Sequence, residues 1–322
     1  MSKAIRVHKA GGPEVMQWED VSVGAPGPGE ACVRHHAVGL NYIDVYQRIA
    51  LYPMTYPSGI GLEGAGVVEA VGPGVANVKP GDRVAYANPP TGAYCEVRNM
   101  PADRLVNLPD GISFEQGAAM MLQGMTVQYL IKRTFKVKAG DTVLWHAAAG
   151  GVGLIACQWL AALGVTVIGT VGSEEKAKLA REHGCHHTVN YSRENFVERV
   201  KDITGGAGVP AVFDSVGKDT FKGSLDCLGT FGMMVSFGNA SGPVPAFELA
   251  ALKGSLFITR PSLMPYTAKR EDLVATAQDL FDIVLSGKVK IEVNQRYPLR
   301  EAAQAHRDLE GRKTTGSTIL LP

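Results

Sequence analysis

The stretch that decides the fold is GLEGAGVVEAVGPGVANVKPGDRV, which spans Gly61 to Val84. Its alanines and valines form short alternating runs interrupted by glycine and proline, a pattern typical of half-buried strands joined by turns. The same composition extends outward over residues 1 to about 120, as in Ala31-Cys32-Val33-Arg34, without a helix after each strand. We therefore expect the N-terminal region to form a mostly antiparallel β domain.

The middle of the chain alternates strands with helices. A predicted strand at Asp141 to His146 is followed by a glycine turn, an apolar helix from Leu154 to Leu163 and a β-branched strand. Repetition of this unit predicts an α/β fold with a doubly wound parallel sheet, the Rossmann architecture. We expect this nucleotide-binding domain to span residues 123–263, and residues 264–322 to join residues 1–122 in the other domain.

The glycine turn reads Ala147-Ala148-Ala149-Gly150-Gly151-Val152-Gly153. In the dinucleotide-binding pattern Gly-x-Gly-x-x-Gly, Gly150 and Gly153 hold the second and third glycine positions, while Ala148 replaces the first. Gly150 would let the backbone approach a pyrophosphate, and Gly153 would let the helix pack closely on the strand. Because a strand precedes the turn and a helix follows it, we expect a dinucleotide cofactor; the alternative is a tight turn without a ligand.

The end of the next strand selects between NADH and NADPH. An NAD site usually carries Asp or Glu there, whereas this chain reads Gly169-Thr170-Val171-Gly172-Ser173. Lys176 follows by one helical turn and is placed to meet a 2′-phosphate. The first-turn acids Glu174 and Glu175 are explained by the helix dipole alone. We therefore expect NADPH, the alternative for Lys176 being an ordinary exposed lysine.

Composition and charge favour an intracellular enzyme. The 322 residues carry 32 Lys and Arg against 31 Asp and Glu, so the net charge of +1 offers no general attraction to nucleic acid or an acidic membrane. The five cysteines are scattered and odd in number, and the N-terminus lacks the apolar stretch of a signal peptide, so we expect a cytoplasmic protein. The uncharged stretch from Ala147 to Gly172 contains six glycines and is interpreted as a buried βαβ unit, not a membrane span.

The chain resembles the zinc-free NADPH:quinone oxidoreductases, the zeta-crystallin-like branch of the medium-chain dehydrogenase/reductase superfamily, over essentially its whole length. The motifs that carry the resemblance are Asn41-Tyr42-Ile43-Asp44-Val45-Tyr46, Gly61 to Val84, Gly124-Met125-Thr126-Val127, Ala147 to Gly153, Gly172 to Lys176, Asp214-Ser215-Val216-Gly217 and Ser236-Phe237-Gly238-Asn239. The resemblance implies a GroES-like mostly antiparallel β domain beside the Rossmann domain. It also implies a homodimer, formed through an edge strand near Gly254 to Thr259.

The zinc ligands of the wider superfamily are missing from this chain. Zinc members carry a His where this chain has Leu62 and a Cys where it has Asn41. Leucine has no lone pair for a cation, and catalytic zinc needs about three protein donors. The structural zinc site of that superfamily needs four closely spaced cysteines, but between Tyr86 and Asp110 there is only Cys95. We therefore expect no metal.

The resemblance also implies the site residues. The residues expected at the reaction centre are Asn41, Asp44, Tyr46, Tyr52 and Gln123, the last replacing a Lys of a close branch. The residues expected to bind NADPH are Asn41, Tyr46, Thr126, Tyr129, Gly150, Gly151, Val152, Gly153, Gly172, Ser173, Lys176, Tyr191, Ser215, Phe237, Gly238, Asn239, Ser262, Leu263 and Arg312. Within this set, Lys176, Tyr191 and Arg312 are expected around the 2′-phosphate.

These expectations define a mechanism and two alternatives. A quinone accepts hydride readily, so the enzyme mainly has to align donor and acceptor. Tyr46 and Tyr52 would position the quinone, and a tyrosine or water would supply the final proton; packing at a domain junction is the alternative for both tyrosines. The same scaffold could instead reduce the double bond of an alkenal or enone. A protein of another class, nucleic-acid-binding or structural, is the remaining alternative.

Overall fold

The computed structural model describes residues 2–322. The chain divides into two compact units, of which the first comprises the residues up to Met125, Tyr266–Leu285 and Ile291–Pro322. The second unit comprises Thr126–Pro265 and Ser286–Lys290. Among the described residues, no helix is both long and apolar enough to cross a membrane.

Strands and helices follow one another along the whole chain. The strands are β1 Ser2–Val7, β2 Met16–Val21, β3 Glu30–Leu40, β4 Ser58–Gly59, β5 Glu63–Val71, β6 Arg83–Ala87, β7 Val97–Pro101, β8 Val106–Asn107, β9 Thr142–Trp145, β10 Thr166–Val171, β11 His187–Asn190, β12 Val209–Asp214, β13 Leu228–Ser236, β14 Phe257–Thr259, β15 Val293–Pro298 and β16 Ser317–Leu321. The α-helices are α1 Tyr42–Arg48, α2 Phe114–Tyr129, α3 Gly151–Ala162, α4 Glu174–Glu182, α5 Phe196–Ile203, α6 Phe221–Asp226, α7 Leu263–Tyr266, α8 Arg270–Leu285 and α9 Ala302–Glu310.

The first unit is built on two sheets. A three-stranded sheet has the order β2-β1-β4, and a seven-stranded sheet has the order β15-β16-β3-β5-β6-β8, with β7 also paired to β3. All of these pairs are antiparallel except β15 with β16. The predicted mostly antiparallel GroES-like domain is thus confirmed. Strand β3 is the longest, and its fully buried valines Val33 and Val38 join the apolar core of this unit.

The second unit contains one six-stranded sheet in the order β11-β10-β9-β12-β13-β14. Every pair in it is parallel, which confirms the predicted Rossmann sheet. Helices α3 and α4 contact β10, while α6 contacts β12 and β13. The strand order reverses between β9 and β12, and in such sheets ligands bind beyond the carboxyl ends of the strands at the reversal.

The predicted apolar helix starts earlier than expected. We expected it at Leu154, but α3 begins at Gly151, directly after its N-cap Gly150. The reason is that the last residues of the glycine turn form the first turn of the helix. The sequence prediction was based on apolar side chains, which begin only after these glycines. Its remaining residues from Gly153 to Leu160 are almost all buried, which explains why the helix lacks a polar face.

Candidate active site

The turn between β9 and α3, which we call the cofactor turn (residues 147–153), is held by backbone contacts. Gly150 N donates to Ala147 O at 2.9 Å, and Ala148 N donates to Thr170 O at 3.0 Å. A Cβ at Gly153 would clash with Ala147 O and lie 2.7 Å from the Ala148 carbonyl carbon, so only glycine fits there. The first turn of α3 has no acidic residue. Its N–H groups are suited to a pyrophosphate, and the role of Gly150, Gly151, Val152 and Gly153 at the cofactor stays a prediction.

The carboxyl end of β10 carries a second group of predicted residues. Ser173 caps α4 by accepting a hydrogen bond from Lys176 N at 3.3 Å. A Cβ at Gly172 would lie 2.6 Å from the Tyr191 hydroxyl, so Tyr191 lies directly against this glycine. Glu174 accepts from Asn190 Nδ2 at 2.8 Å. The structure thus gathers Gly172, Ser173, Lys176 and Tyr191 at one edge, with the nearby first-turn acid already hydrogen-bonded.

Two neighbours of this edge escaped the sequence prediction. Ser192 Oγ donates to Gly172 O at 3.0 Å, and exposed Arg193 lies 3.9 Å from the Glu174 carboxylate. Both directly follow Tyr191 beyond the end of β11. The signal in the sequence was the position of Ser192 and Arg193 just beyond β11. The carboxyl ends of neighbouring parallel strands lie at the same edge of a sheet, so residues that follow β11 lie near those that follow β10.

The ends of β12 and β13 meet at the same side of the sheet. Asp214 is fully buried and accepts from Val216 N at 2.7 Å and Gly217 N at 3.0 Å, which fixes the turn that carries Ser215. A Cβ at Gly238 would lie 2.8 Å from Ser215 Cα. The structure therefore brings Ser215 and Gly238 into direct backbone contact, as a shared cofactor edge requires.

The segment after Ser236 contacts a positively charged side chain, Arg260, that the sequence prediction did not include. With its amide nitrogen facing Gly238 O at 3.0 Å, Asn239 accepts from Arg260 Nη2 at 3.2 Å. Arg260 Nη1 also donates to Ser236 O at 3.2 Å. The Phe237 ring packs at 5.7 Å from Trp145, whose strand precedes the cofactor turn. Arg260 was missed because it follows the short edge strand β14 and belongs to no motif.

A buried chain of hydrogen bonds lies beneath these strand ends. His146 Nδ1 is 2.9 Å from Thr170 Oγ1, and His146 Nε2 is 3.0 Å from Ser224 Oγ. Ser224 donates in turn to Asp214 at 2.9 Å. Burial lowers the pKa of the His146 imidazole, so the ring stays neutral and links Thr170 of β10 to Ser224 of α6.

For the remaining predicted cofactor residues, the structure gives their positions in the fold but does not bring them together. Thr126 and Tyr129 lie buried in the last turn of α2, while Ser262 precedes α7 and Leu263 begins it. Arg312 follows α9 in the first unit, with a positive φ of 57°. The roles of these five residues at the cofactor stay predictions.

The first unit contains a buried polar cluster formed by Asn41, Asp44, Glu63, Gln123 and Ser317. Asn41 Nδ2 donates to Glu63 Oε2 at 2.5 Å, and Asn41 Oδ1 accepts from Gln123 Nε2 at 3.2 Å. Ser317 Oγ donates to Gln123 Oε1 at 2.8 Å. Asn41 N donates to Asp44 Oδ2 at 3.0 Å at the start of α1. The cluster therefore holds the Asn41 side chain in a single orientation.

Both carboxyl groups of the cluster hold their protons unusually tightly. Burial raises the pKa of Glu63 to about 8 and that of Asp44 to about 7, although hydrogen bonds partly oppose the rise. Glu63 fits because Gly39 has no side chain: a Cβ there would lie 2.6 Å from the Glu63 carboxyl carbon. Asp44 Oδ1 is buried without a hydrogen-bond partner. At neutral pH Glu63 is therefore mostly protonated, and Asp44 is partly protonated.

A second layer fixes Asp44 from behind. The Tyr94 hydroxyl donates to Asp44 Oδ2 at 2.8 Å and lies 3.1 Å from His306 Nε2. Arg48 Nη1 donates to His306 Nδ1 at 2.8 Å and the same guanidinium pairs with Glu310. Burial, with Arg48 assisting, lowers the pKa of His306 to about 3, so its neutral ring keeps a proton on Nε2 for Tyr94. Sequence reasoning missed Tyr94, His306 and Glu310, which lie far from Asp44 in the chain, and also Arg48, which ends the same helix.

The predicted tyrosines stand on and beside α1. The Tyr46 ring is 5.6 Å from Tyr42 and 5.5 Å from Tyr52, the latter edge to face. Tyr52 N donates to Tyr46 O at 3.2 Å. The structure thus brings Tyr46 and Tyr52 together as an aromatic wall in the same segment as Asn41 and Asp44. Their action on a substrate stays a prediction.

The donor set does not suit zinc. Leu62 is 2% exposed and offers no ligand atom, while the Asn41 amide is engaged by Glu63 and Gln123. Within residues 2–322, no three His, Cys, Asp or Glu side chains are grouped so that they could hold a metal ion. No step of the chemistry below passes through a metal.

Comparisons with known proteins agree with this geometry. Residues 27–110 match the alcohol dehydrogenase GroES-like domain, and residues 151–278 match the zinc-binding dehydrogenase family. A quinone oxidoreductase of Pseudomonas aeruginosa is 55% identical, and the match covers 100% of this chain and 100% of that protein. A 2-haloacrylate reductase of Burkholderia is 48% identical, and the match covers 100% of this chain and 99% of that protein. The crystal structure of Escherichia coli quinone oxidoreductase complexed with NADPH superposes with a TM-score of 0.98 at 50% identity, covering 99% of this chain and 100% of that one. The chain belongs to the quinone oxidoreductase family of the medium-chain dehydrogenase/reductase superfamily.

Proposed function

We propose that the protein is an NADPH-dependent quinone reductase. The observation that carries this proposal is the pairing of two features: a backbone turn shaped for a pyrophosphate, and a β10 edge where Ser173 and Lys176 replace the usual acid. NADPH supplies the hydride when bound. Family membership, together with the likeness to an NADPH-bound quinone oxidoreductase, supports the same acceptor and cofactor for this chain.

The buried polar cluster contributes orientation and charge control. The family resemblance implies that Asn41, Asp44 and Tyr46 face the nicotinamide. One Asn41 Nδ2 hydrogen is used by Glu63, and we assign the other to the acceptor oxygen, where negative charge develops as hydride arrives. Because burial raises the pKa of Glu63 to about 8 and that of Asp44 to about 7, Glu63 is mostly protonated and Asp44 partly protonated at neutral pH, which reduces the negative charge that opposes the hydroquinone anion.

The tyrosine wall is proposed to position the ring of the acceptor. The edge-to-face contact between Tyr46 and Tyr52 offers an apolar aromatic surface with two hydroxyl groups, which suits a quinone better than a charged substrate. Tyr52 or water would deliver the proton that completes the hydroquinone. Gln123 is proposed to act by holding Asn41. Both the nitrogen and the oxygen of its side-chain amide already have protein partners, Asn41 and Ser317.

Reduction of an activated carbon double bond is the second candidate. It is favoured by the 2-haloacrylate reductase relative, which shares the whole length of this chain. That reaction adds hydride to one carbon and a proton to its neighbour. A dependence of turnover on a nearby proton donor would therefore be stronger for this substrate than for a quinone.

We further propose that the protein is a cytoplasmic homodimer. Strand β14 ends the Rossmann sheet, and Phe257 on it is 55% exposed, with Phe231 of the neighbouring strand 68% exposed. An open strand edge with apolar side chains is suited to pairing with the same strand of a second copy. The five cysteines are all free, which fits a reducing compartment.

The function is tested by following NADPH oxidation, with NADH in parallel, by chelator-treated protein. The acceptors are a simple quinone, an enone and 2-chloroacrylate. We expect turnover with the quinone and a preference for NADPH that the chelator does not change. Turnover with the double-bond substrates alone would replace the proposal by the second candidate, and loss of activity on chelation would contradict the metal-free chemistry.

A further inference from the structure

Arg260 follows the last strand of the Rossmann sheet and lies between two segments, 236–242 and 260–263, that contain predicted cofactor residues. Strand β14 pairs with β13 over three residues, and the last pair is Val235 with Thr259. Pro261 comes two residues later and has no N–H group with which to extend this pairing. The pairing of the two strands therefore stops where the predicted cofactor residues begin.

The Arg260 guanidinium continues the connection beyond the strands. Its Nη1 donates to Ser236 O at 3.2 Å, one residue past the last pair of β13, and to Pro261 O at 3.3 Å on its own segment. Its Nη2 donates to the Asn239 side-chain oxygen at 3.2 Å in the amide orientation given above. One planar group thus binds three oxygens on two segments, because its N–H donors point in fixed directions.

The backbone around Asn239 and its side chain are fixed by different contacts. Ala240 N donates to Ser215 O at 3.1 Å, so the turn after β12 holds the turn after β13 without help from Arg260. The Asn239 side chain instead has its nitrogen facing Gly238 O and its oxygen facing Arg260. Loss of the guanidinium should therefore leave this turn folded and change the orientation of the amide.

The position on the sheet indicates which part of NADPH these segments would meet. The strand order is β11-β10-β9-β12-β13-β14. The cofactor turn after β9 is suited to the pyrophosphate, and the residues beyond β10 are expected at the 2′-phosphate. A dinucleotide that crosses the reversal of strand order has its other half beyond β12 and β13. Arg260 and Ser262 are exposed there, so the surface is open to a ligand on the nicotinamide side.

We propose that Arg260 is a positioning residue for the nicotinamide half of NADPH. It holds the Asn239 amide and the 260–263 segment as one fixed surface, and it acts through the shape of its guanidinium and not through charge alone. This inference rests on the proposed NADPH-dependent function. A misplacement of about 1 Å can lower a rate about a hundredfold, so a surface that fixes the ring affects turnover more than affinity.

Hydrogen exchange of the protein without cofactor measures the connection directly. Arg260→Lys keeps the charge but loses the planar group, and we expect faster exchange of the backbone amides between residues 259 and 263. Arg181→Lys is the matched control, because its exposed guanidinium donates to Thr188 of β11 at the opposite edge of the same sheet. Unchanged exchange in Arg260→Lys, or the same increase at residues 259–263 in both variants, would overturn the proposal.

Binding and single-turnover measurements separate positioning from charge. Adenosine 2′,5′-bisphosphate lacks the nicotinamide, so Arg260→Lys, Arg260→Ala and Arg181→Lys should all bind it as the wild-type chain does. Both Arg260 variants should oxidise NADPH about tenfold more slowly, with a change in its Kd of no more than about threefold, while Arg181→Lys keeps the wild-type rate. A wild-type rate in Arg260→Lys with a loss in Arg260→Ala would show that charge suffices and refute the positioning role.

The wild-type chain distinguishes failure of this inference from failure of the proposed function. If it neither binds the bisphosphate nor oxidises NADPH, the proposed function is wrong and the inference falls with it. If it does both and the two Arg260 variants match it in rate, only the role of Arg260 is refuted.

Discussion

The cofactor turn and the buried polar cluster reach precise geometry by opposite means. The cofactor turn spans seven consecutive residues, has no acidic side chain in the helical turn that follows, and depends on backbone hydrogen bonds and on the missing Cβ of Gly153. The cluster joins side chains between Asn41 and Ser317 and depends on two buried carboxyl groups. Changes in backbone shape should therefore damage the first region, while changes in proton occupancy should affect the second.

The largest effect is expected at Gly153. Gly153→Ala places a methyl group against Ala147 O, so the turn must open and the free energy of unfolding should fall by about 3 kcal/mol. Gly150→Ala is the control, because its Cβ meets nothing closer than Ala147 O at 3.3 Å. That variant should fold normally yet bind NADPH more weakly. Denaturant titration and NADPH titration together check both effects; equal stability of the two variants would contradict the packing role of Gly153.

Glu63 should make the stability depend on pH. Its carboxyl has an ordinary pKa of 4.5 when unfolded and about 8 when folded, so the folded chain binds the proton more tightly. The stabilisation is complete below pH 4.5 and is lost as the pH rises through 8. Relative to Glu63→Gln, the wild-type chain should lose about 1.4 kcal/mol of unfolding free energy for each pH unit between these two pKa values.

The control for Glu63 is Glu115→Gln, which changes an exposed carboxylate paired with Arg296 at 2.7 Å. Its unfolding free energy should follow the pH in parallel with that of the wild-type chain. Urea titrations from pH 4 to 9 supply the measurement. If Glu63→Gln and wild type also run in parallel, the tight proton binding attributed to burial is wrong.

Tyr94 should couple to Asp44. Tyr94→Phe removes the hydroxyl that donates to Asp44 and faces His306, at an expected cost of about 1–2 kcal/mol in unfolding free energy. Tyr56→Phe is the control, because the Tyr56 hydroxyl is buried without a hydrogen bond. A double-mutant cycle with Asp44→Asn measures the coupling; strictly additive losses would show that the Tyr94–Asp44 bond contributes nothing.

The smallest effect is expected at the rim of the cofactor site. Lys176→Ala should raise the KM for NADPH about tenfold, equivalent to about 1.4 kcal/mol, and leave the KM for NADH unchanged. Lys178→Ala removes the same charge two residues on, where the side chain is 75% exposed and lies 3.9 Å from Glu182. Steady-state kinetics with both cofactors separate the variants. A similar rise with Lys178→Ala would reduce the role of Lys176 to general charge.

The contrast between the two regions also explains what the sequence could predict. The antiparallel character of the first unit and the parallel sheet of the second were predictable from local strand and helix patterns, and so was the cofactor turn, whose strand, glycine turn and helix lie within about twenty consecutive residues. The structure brings Tyr191 against Gly172, while its role at the 2′-phosphate stays a prediction.

The second layer of the cluster was not predictable. Tyr94 and His306 lie 50 and 262 residues from Asp44, and nothing in their local sequence marks them. The raised pKa values of Glu63 and Asp44 depend on burial, which only the folded chain creates. Arg260 escaped notice because its contacts with Ser236 and Asn239 form only when the chain folds.

Leu62 sets a limit for protein engineers who would like to introduce a metal into this scaffold. Leu62→His alone would add one ligand to a position that is 2% exposed, while Asn41 would stay committed to Glu63 and Gln123. A working site would need simultaneous replacement of Leu62 and Asn41, together with deprotonation of the Glu63 carboxyl group. Metal-dependent and metal-free chemistry on this scaffold are therefore separated by changes at several positions and not by one substitution.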